Sequence, residues 1–271
     1  MVFKKILLII LLISNCFGDI LHDKIKNLIG DKNYKIHKNL IDNLTKNQNY
    51  FYTANGLNYS AILKMLKEQG LISLEFNAPK EVSITFVVKN NYKKALKILK
   101  ETLNTLGYTY YFTDFFTNSN NTLKWKIRFK SDFMLDPYIF NNELNKTESQ
   151  IIDIVKISNY EWLYKINVEN SKLYNSIKIE KNEKVKLLKP LKPYLLYVND
   201  AKELIVLSRK LNSWFPKLAF YSKELKVLGV IEKNRIYRGV KIKIPENTSY
   251  IKIDDSFTLL NIKRGLTIIV R

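Results

Sequence analysis

The order in which two hydrophobic periods follow one another constrains this chain more than any other feature. Val82, Ile84, Phe86 and Val88 recur at every second residue, the spacing of a strand with one buried face. Tyr92, Ala95, Leu96, Leu99, Leu103 and Leu106 then recur at helical spacing, and Gly107 closes that helix. An aromatic strand over 108–116, the turn Asn118-Ser119-Asn120-Asn121 and a strand over 123–130 come next. Asp136-Pro137 opens a short helix to about Asn145, with proline in its first turn. Residues 151–157 and 160–168 return to strand, separated by Ser158-Asn159. Residues 82–157 therefore spell β-α-β-β-α-β, with one strand after them and a short one at 72–76 before. That order predicts a ferredoxin-like split βαβ module over 71–170, with helices on one face of an antiparallel sheet. Such a module hosts many functions and predicts no chemistry of its own.

The flanks read differently. Over 19–70 three apolar stripes predict helices: Leu21, Ile25, Leu28 and Ile29; Ile36, Leu40, Ile41 and Leu44; and Tyr59, Ile62, Leu63 and Leu66, capped by Asn58. Over 171–271 no helical period persists. Short apolar runs recur about every ten residues, among them 177–179, 203–208, 257–262 and 266–270, and predict a β-sandwich of around eight strands. Lys189-Pro190-Leu191-Lys192-Pro193 reads as a linker or as an edge connection within that sandwich. The fold class is α+β.

Residues 1–18 read as an export signal. Lys4 and Lys5 precede an unbroken apolar run over 6–13, and small residues at Cys16 and Gly18 place cleavage between Gly18 and Asp19. Two alternatives stand beside it: an uncleaved membrane anchor, for which the apolar run is short of the roughly 20 residues that span a bilayer, and a lipobox over 12–16 that makes Cys16 a lipidated first residue. Cleavage after Gly18 removes the one cysteine. That suits an oxidising compartment and excludes disulfides, thiol catalysis and cysteine-ligated metals. The expectation is the periplasm.

The chain carries 45 basic and 25 acidic residues, a net charge of +20. Six of the basic residues are arginine: Arg128, Arg209, Arg235, Arg238, Arg264 and Arg271. The rest are lysine, which lacks the planar fork that grips phosphate and carboxylate. Lysine, asparagine and isoleucine all have AT-rich codons, so about half of the excess is laid to genome composition and solubility rather than to a polyanionic partner. His22 and His37 have neither the spacing nor the neighbours of a zinc site. No nucleophile elbow, Walker loop or dinucleotide fingerprint occurs, and Asp254-Asp255 reads as a solvated turn. The sequence predicts no catalytic residue, metal or cofactor.

One strand carries a candidate site. Leu123, Trp125, Ile127 and Phe129 alternate with Lys124, Lys126, Arg128 and Lys130, so four cations line the face away from the helices. Alternation in the preceding strand places Thr109, Tyr111, Thr113 and Phe115 on that same face, and Glu161, Lys165 and Asn167 extend it. A cationic face with aromatics fits glycan strands, anionic lipid heads or an acidic protein. Export argues against nucleic acid. Ser213-Trp214-Phe215-Pro216 reads as a core closure or, less simply, as a sugar-stacking loop.

The export signal, the composition and the run Asn33-Tyr34-Lys35-Ile36-His37-Lys38-Asn39-Leu40-Ile41 resemble uncharacterised exported proteins of flagellated epsilonproteobacteria. The resemblance implies periplasmic residence and no particular activity. It also gives meaning to Glu143-Leu144-Asn145-Lys146-Thr147, which matches the D/E-x-N-x-S/T acceptor of the bacterial N-glycosylation pathway at Asn145. The expectation from sequence is a non-enzymatic periplasmic scaffold or adaptor of an envelope assembly, of secretion or flagellar type, bound to envelope protein partners. The alternative is a module that binds glycan or another anionic envelope polymer through the cationic sheet face.

Overall fold

The computed structural model describes residues 20–54 and 56–271. The expected signal peptide, Cys16 and the Gly18/Asp19 junction lie outside the described residues. The chain divides into two compact units, the first ending at Ser171 and the second running from Lys172 to Arg271. The first mixes helices with a sheet and the second is almost wholly strands, which makes the chain α+β.

In the first unit, helical residues 20–29 (α1) bury Leu21, Ile25, Leu28 and Ile29, the expected stripe. The next stripe is interrupted. α2 (Asp31–Ile36) and α3 (Lys38–Leu44) break at His37, and the break leaves Ile36 and Leu40 exposed with Ile41 buried. His22 ties these helices, with Nδ1 2.6 Å from the Tyr34 hydroxyl and Nε2 3.2 Å from the Thr45 hydroxyl. A small antiparallel pair, β1 (Tyr52–Thr53) and β2 (Gly56–Leu57), leads into α4 (Tyr59–Glu68). Asn58 caps α4, its side-chain oxygen accepting from the Ala61 N–H at 3.2 Å.

β3 (Glu75–Lys89), α5 (Tyr92–Thr105), β4 (Phe112–Ser119), β5 (Thr122–Phe133), α6 (Pro137–Asn145), β6 (Gln150–Lys156) and β7 (Glu161–Asn167) follow in the predicted order. No separate strand forms at 72–76: residues 72–74 lie outside any strand, and Glu75 and Phe76 begin β3, which continues through a register shift between Glu75 and Lys80. Asp136 caps α6 by accepting from the Tyr138 and Ile139 N–H groups at 2.9 and 3.0 Å. The sheet order is β4-β5-β3-β7-β6. β7 runs parallel to β3, between it and β6. A short connection makes β6 and β7 antiparallel neighbours, so they join the sheet as a pair and the later strand lands beside β3. On the helix-covered face Phe86 meets Trp125 and Phe140 at ring separations of 5.6 and 5.7 Å.

The two edges of this sheet differ. Side chains of α1 and α4 reach the β6 edge: Asn27 exchanges hydrogen bonds with the Lys156 backbone at 3.3 and 3.0 Å, and Lys24 donates to the Ile154 carbonyl at 3.0 Å. At the other edge all eight residues of β4 are exposed.

The second unit contains β8 (Ile177–Ile179), β9 (Lys184–Lys186), β10 (Tyr194–Val198), β11 (Glu203–Ser208), β12 (Pro216–Tyr221), β13 (Val227–Glu232), β14 (Gly239–Lys243), β15 (Tyr250–Asp255) and β16 (Leu266–Val270). They form sheets of order β13-β12-β15-β10-β8 and β14-β11-β16-β9. Leu196, Phe220 and Ile253 from the first, Val206 and Ile268 from the second, and Trp214 share one core. The strand expected over 257–262 is a 3-10 turn at Leu259–Ile262. Asp255 accepts from the N–H groups of Phe257 and Thr258, and Thr258 from that of Leu260, so side chains satisfy a backbone that would otherwise need a ladder. The run from Lys189 to Pro193 connects β9 to β10 inside this unit. Among the described residues no helix is long and apolar enough to cross a membrane.

Candidate functional site

The candidate face is laid out by the hairpin that joins β4 to β5. Asn120 and Asn121 both adopt left-handed backbone, with φ of 49° and 55°, the two-residue turn whose twist matches antiparallel strands. It pairs Ser119 with Thr122 and fixes the faces of β5. Leu123, Trp125, Ile127 and Phe129 are buried, and Lys124, Lys126, Arg128 and Lys130 occupy the opposite face, as predicted.

The four cations do not make a uniform patch. Lys126 pairs with Glu161 at 2.6 Å, and Arg128 bonds both Asp114, at 2.9 Å, and Glu81, at 2.7 Å. On β7, Lys165 pairs with Asp153 at 2.9 Å. Lys124 and Lys130 have no ion pair among the described residues. Exposed pairs of this kind add little stability. Their consequence is electrostatic, because half of the row is neutralised by the chain itself.

Tyr111 does not join the row. Its ring stands edge-on to Trp125 at 5.7 Å, on the helix-covered side, and burial raises the pKa of its hydroxyl. Thr113 lies on that side too, its hydroxyl accepting from the Trp125 indole N–H at 3.1 Å. The cause is a register shift between Thr113 and Phe115, an extra residue that reverses the alternation. Phe112 and Phe115 therefore lie opposite Arg128 and Lys126, with the Arg128 guanidinium 5.7 Å from the Phe112 ring centre. Asp114, which strict alternation sets on the wrong face, becomes a partner of Arg128 through the same bulge. No local sequence signal announces that shift. Glu161 was legible as a member of the face, but its bond to Lys126 depends on β7 lying one strand beyond β3.

Asn145 is exposed at the end of α6, its amide 3.5 Å from the Ser60 hydroxyl. The rest of the acceptor motif is locked. Thr147 is fully buried and donates to the Leu144 carbonyl at 2.7 Å, while buried Glu143 bonds Lys146 at 2.6 Å. The folded protein is therefore expected to resist an oligosaccharyltransferase of this acceptor specificity, and the unfolded chain to be modified at Asn145. Mass spectrometry of the peptide spanning Asn145 checks this; equal occupancy in both states would refute it.

Trp214 is fully buried, its indole N–H donating to the Asp254 carbonyl at 3.0 Å, so it closes the core of the second unit. Asp255 is buried and accepts from the Phe215 N–H at 2.8 Å, which makes it a loop organiser rather than a solvated turn. Among the described residues no group of three or more His, Cys, Asp or Glu side chains gathers as a metal site.

No family model and no curated protein matches this chain. Among solved structures it is similar to a β-glucosidase from Paenibacillus barengoltzii, with 17% identity and a TM-score of 0.18. The match covers 35% of this chain and 11% of that one, a likeness too slight to carry an argument.

Proposed function

We propose that this protein is a non-enzymatic periplasmic scaffold or adaptor of an envelope assembly, and that it takes up a protein partner as an added strand on β4. We read its first unit as a ferredoxin-like split βαβ module widened by β7. The observation that carries the proposal is the contrast between the sheet edges. β6 has its backbone groups engaged by side chains of the N-terminal helices, and β4 is an exposed eight-residue edge. A bare edge invites strand pairing, and proteins generally cover or charge such edges unless they use them. The bulge at Asp114 confines regular pairing to Phe115–Ser119.

The turn makes Ser119 and Thr122 a hydrogen-bonded pair, so alternation points the Asn118 N–H outward. Asn118→Pro removes that donor on an edge where proline is tolerated. A photocrosslinker at Ser119 is expected to capture one discrete envelope protein, with the yield falling at least about tenfold in Asn118→Pro as one main-chain bond is lost and its neighbour disturbed. Unchanged capture in that variant, with the melting temperature preserved, would sink the strand-addition reading.

The uncommitted Lys124 and Lys130 favour a second reading, binding of an anionic envelope polymer. It requires salt-sensitive pelleting with cell-wall material that Lys124→Glu with Lys130→Glu abolishes.

A further inference from the structure

Four of the chain's six arginines are scattered through the sequence between 209 and 264, and the topology of the second unit brings them to one end. The loops 187–193, 209–215, 233–238 and 256–265 all leave the strands at that end. Hydrogen bonds knit them together. Arg209 donates to the Leu187 carbonyl at 3.2 Å, the Tyr237 N–H to the Trp214 carbonyl at 2.9 Å, and the Ser213 N–H to the Asn261 carbonyl at 2.9 Å. Asn212 binds the Gly265 carbonyl at 2.9 Å.

These loops carry Arg209, Arg235, Arg238 and Arg264 with five lysines, and not one Asp or Glu. The acids just beneath them are already engaged. Glu232 pairs with Lys217 at 3.1 Å, Asp254 with Lys252 at 3.3 Å, and Asp255 is buried. The same loops expose Leu188, Leu191, Leu211, Ile236, Phe257 and Leu260, with Leu191 92% and Phe257 70% accessible. The loops of the opposite end, 180–183, 199–202, 222–226 and 244–249, contain Glu180, Glu183, Asp200, Glu224 and Glu246. The unit is thus chemically polar along its strands, with one end basic and tipped with apolar side chains and the other close to neutral, its five acids offset by Lys181, Lys202, Lys223 and Lys226.

We propose that the basic end of the second unit docks on an anionic lipid bilayer, with its apolar tips entering the interface and its arginines and lysines meeting the headgroups. Charge complementarity selects an anionic surface. The apolar tips select lipid over a soluble polyanion, which offers leucine and phenylalanine no apolar phase to enter, whereas the headgroup–acyl boundary does. The hydrogen bonds between loops hold the tips in place before contact, so little ordering opposes binding.

Sedimentation of the full chain with vesicles tests this. Binding to vesicles of equal parts phosphatidylcholine and phosphatidylglycerol is expected, weakening with salt, with little binding to phosphatidylcholine alone. Arg235→Glu with Lys263→Glu should lower partitioning at least about tenfold, because each basic residue close to such a surface adds to the attraction and each reversal turns it into repulsion. Leu191→Ser with Leu260→Ser should lower it without changing the charge. All four positions are exposed, and unchanged near-ultraviolet circular dichroism confirms an intact fold; if a pair misfolds, Leu191→Ser alone suffices. Equal binding to both vesicle types overturns the proposal. So does a loss of equal size in Lys124→Glu with Lys130→Glu, because overall charge would then explain it. Binding that ignores the leucine changes, or that occurs to a soluble polyanion in place of vesicles, also overturns it.

Discussion

Gly265→Ala is expected to destabilise the second unit by more than about 4 kcal/mol, beyond the range of an ordinary point change. Gly265 sits at φ +82°, where a side chain is strained, and a Cβ there would lie 2.0 Å from the Leu187 carbonyl oxygen. That oxygen belongs to backbone at the end of β9, whose Leu187 N–H donates to the Leu266 carbonyl at 2.8 Å. Relief therefore requires β9 and β16 to separate, with loss of the pairing of Lys186 with Thr267 and its neighbours. Gly70 provides the control. Its φ of +61° is equally left-handed, but nothing lies within 4 Å of its Cβ position. Gly70→Ala should cost only about 1 kcal/mol, the conformational penalty alone. Urea unfolding of the two variants distinguishes clash from conformation, and hydrogen exchange at Ile268 and Ile269 places the damage. Equal costs at the two glycines would mean that the contact with Leu187 relaxes freely.

The elements of this chain were legible wherever a local pattern was strong enough to fix them. The alternation from Leu123 to Lys130 assigned those eight side chains of β5 to their observed faces, and Asp136-Pro137 and Asn58 marked helix starts that the structure confirms by cap hydrogen bonds. What escaped the sequence was set by relations between distant segments. The place of β7 beside β3 follows from strand order, and strand order is not written in periodicity. The bulge at Asp114 reversed Tyr111 and Thr113 while leaving composition untouched. The basic end of the second unit is the plainest instance. Arg209, Arg235, Arg238 and Arg264 looked like four of a few scattered arginines in a lysine-rich chain, and only the return of each strand to the same end makes them neighbours. The +20 charge is thus not one property: on the first sheet much of it is cancelled by Glu81, Asp114 and Glu161, and on four loops of the second unit it stands without an acid.

The second large effect is expected at Asp153, where α1, α4 and β7 converge on β6. Its carboxylate accepts from Lys24 at 2.7 Å, from the Tyr59 hydroxyl at 2.8 Å and from Lys165 at 2.9 Å. Burial by itself would raise its pKa, but hydrogen bonds from Lys24, Lys165 and Tyr59 outweigh that and hold it at about 2, against an ordinary 3.8. Burial, with Asp153 beside it, pushes the Tyr59 hydroxyl up, so Tyr59 remains the donor. Because the folded value lies below the unfolded one, the unfolded chain takes up this proton first as acid is added. The group then contributes about 2 kcal/mol above pH about 4, and that stability is lost as pH falls from about 4 to about 2. Asp153→Ala should cost about 3 kcal/mol at neutral pH, since it strands the ammonium of Lys24, whose side chain is only 18% exposed. Asp153→Asn should lose less and should flatten the acid limb. Urea midpoints across that pH range measure both. An Asp153→Asn protein with the parent's acid sensitivity would place the titration elsewhere, and an Asp153→Ala protein as stable as the parent would show that α1 is held to β6 by its apolar stripe alone.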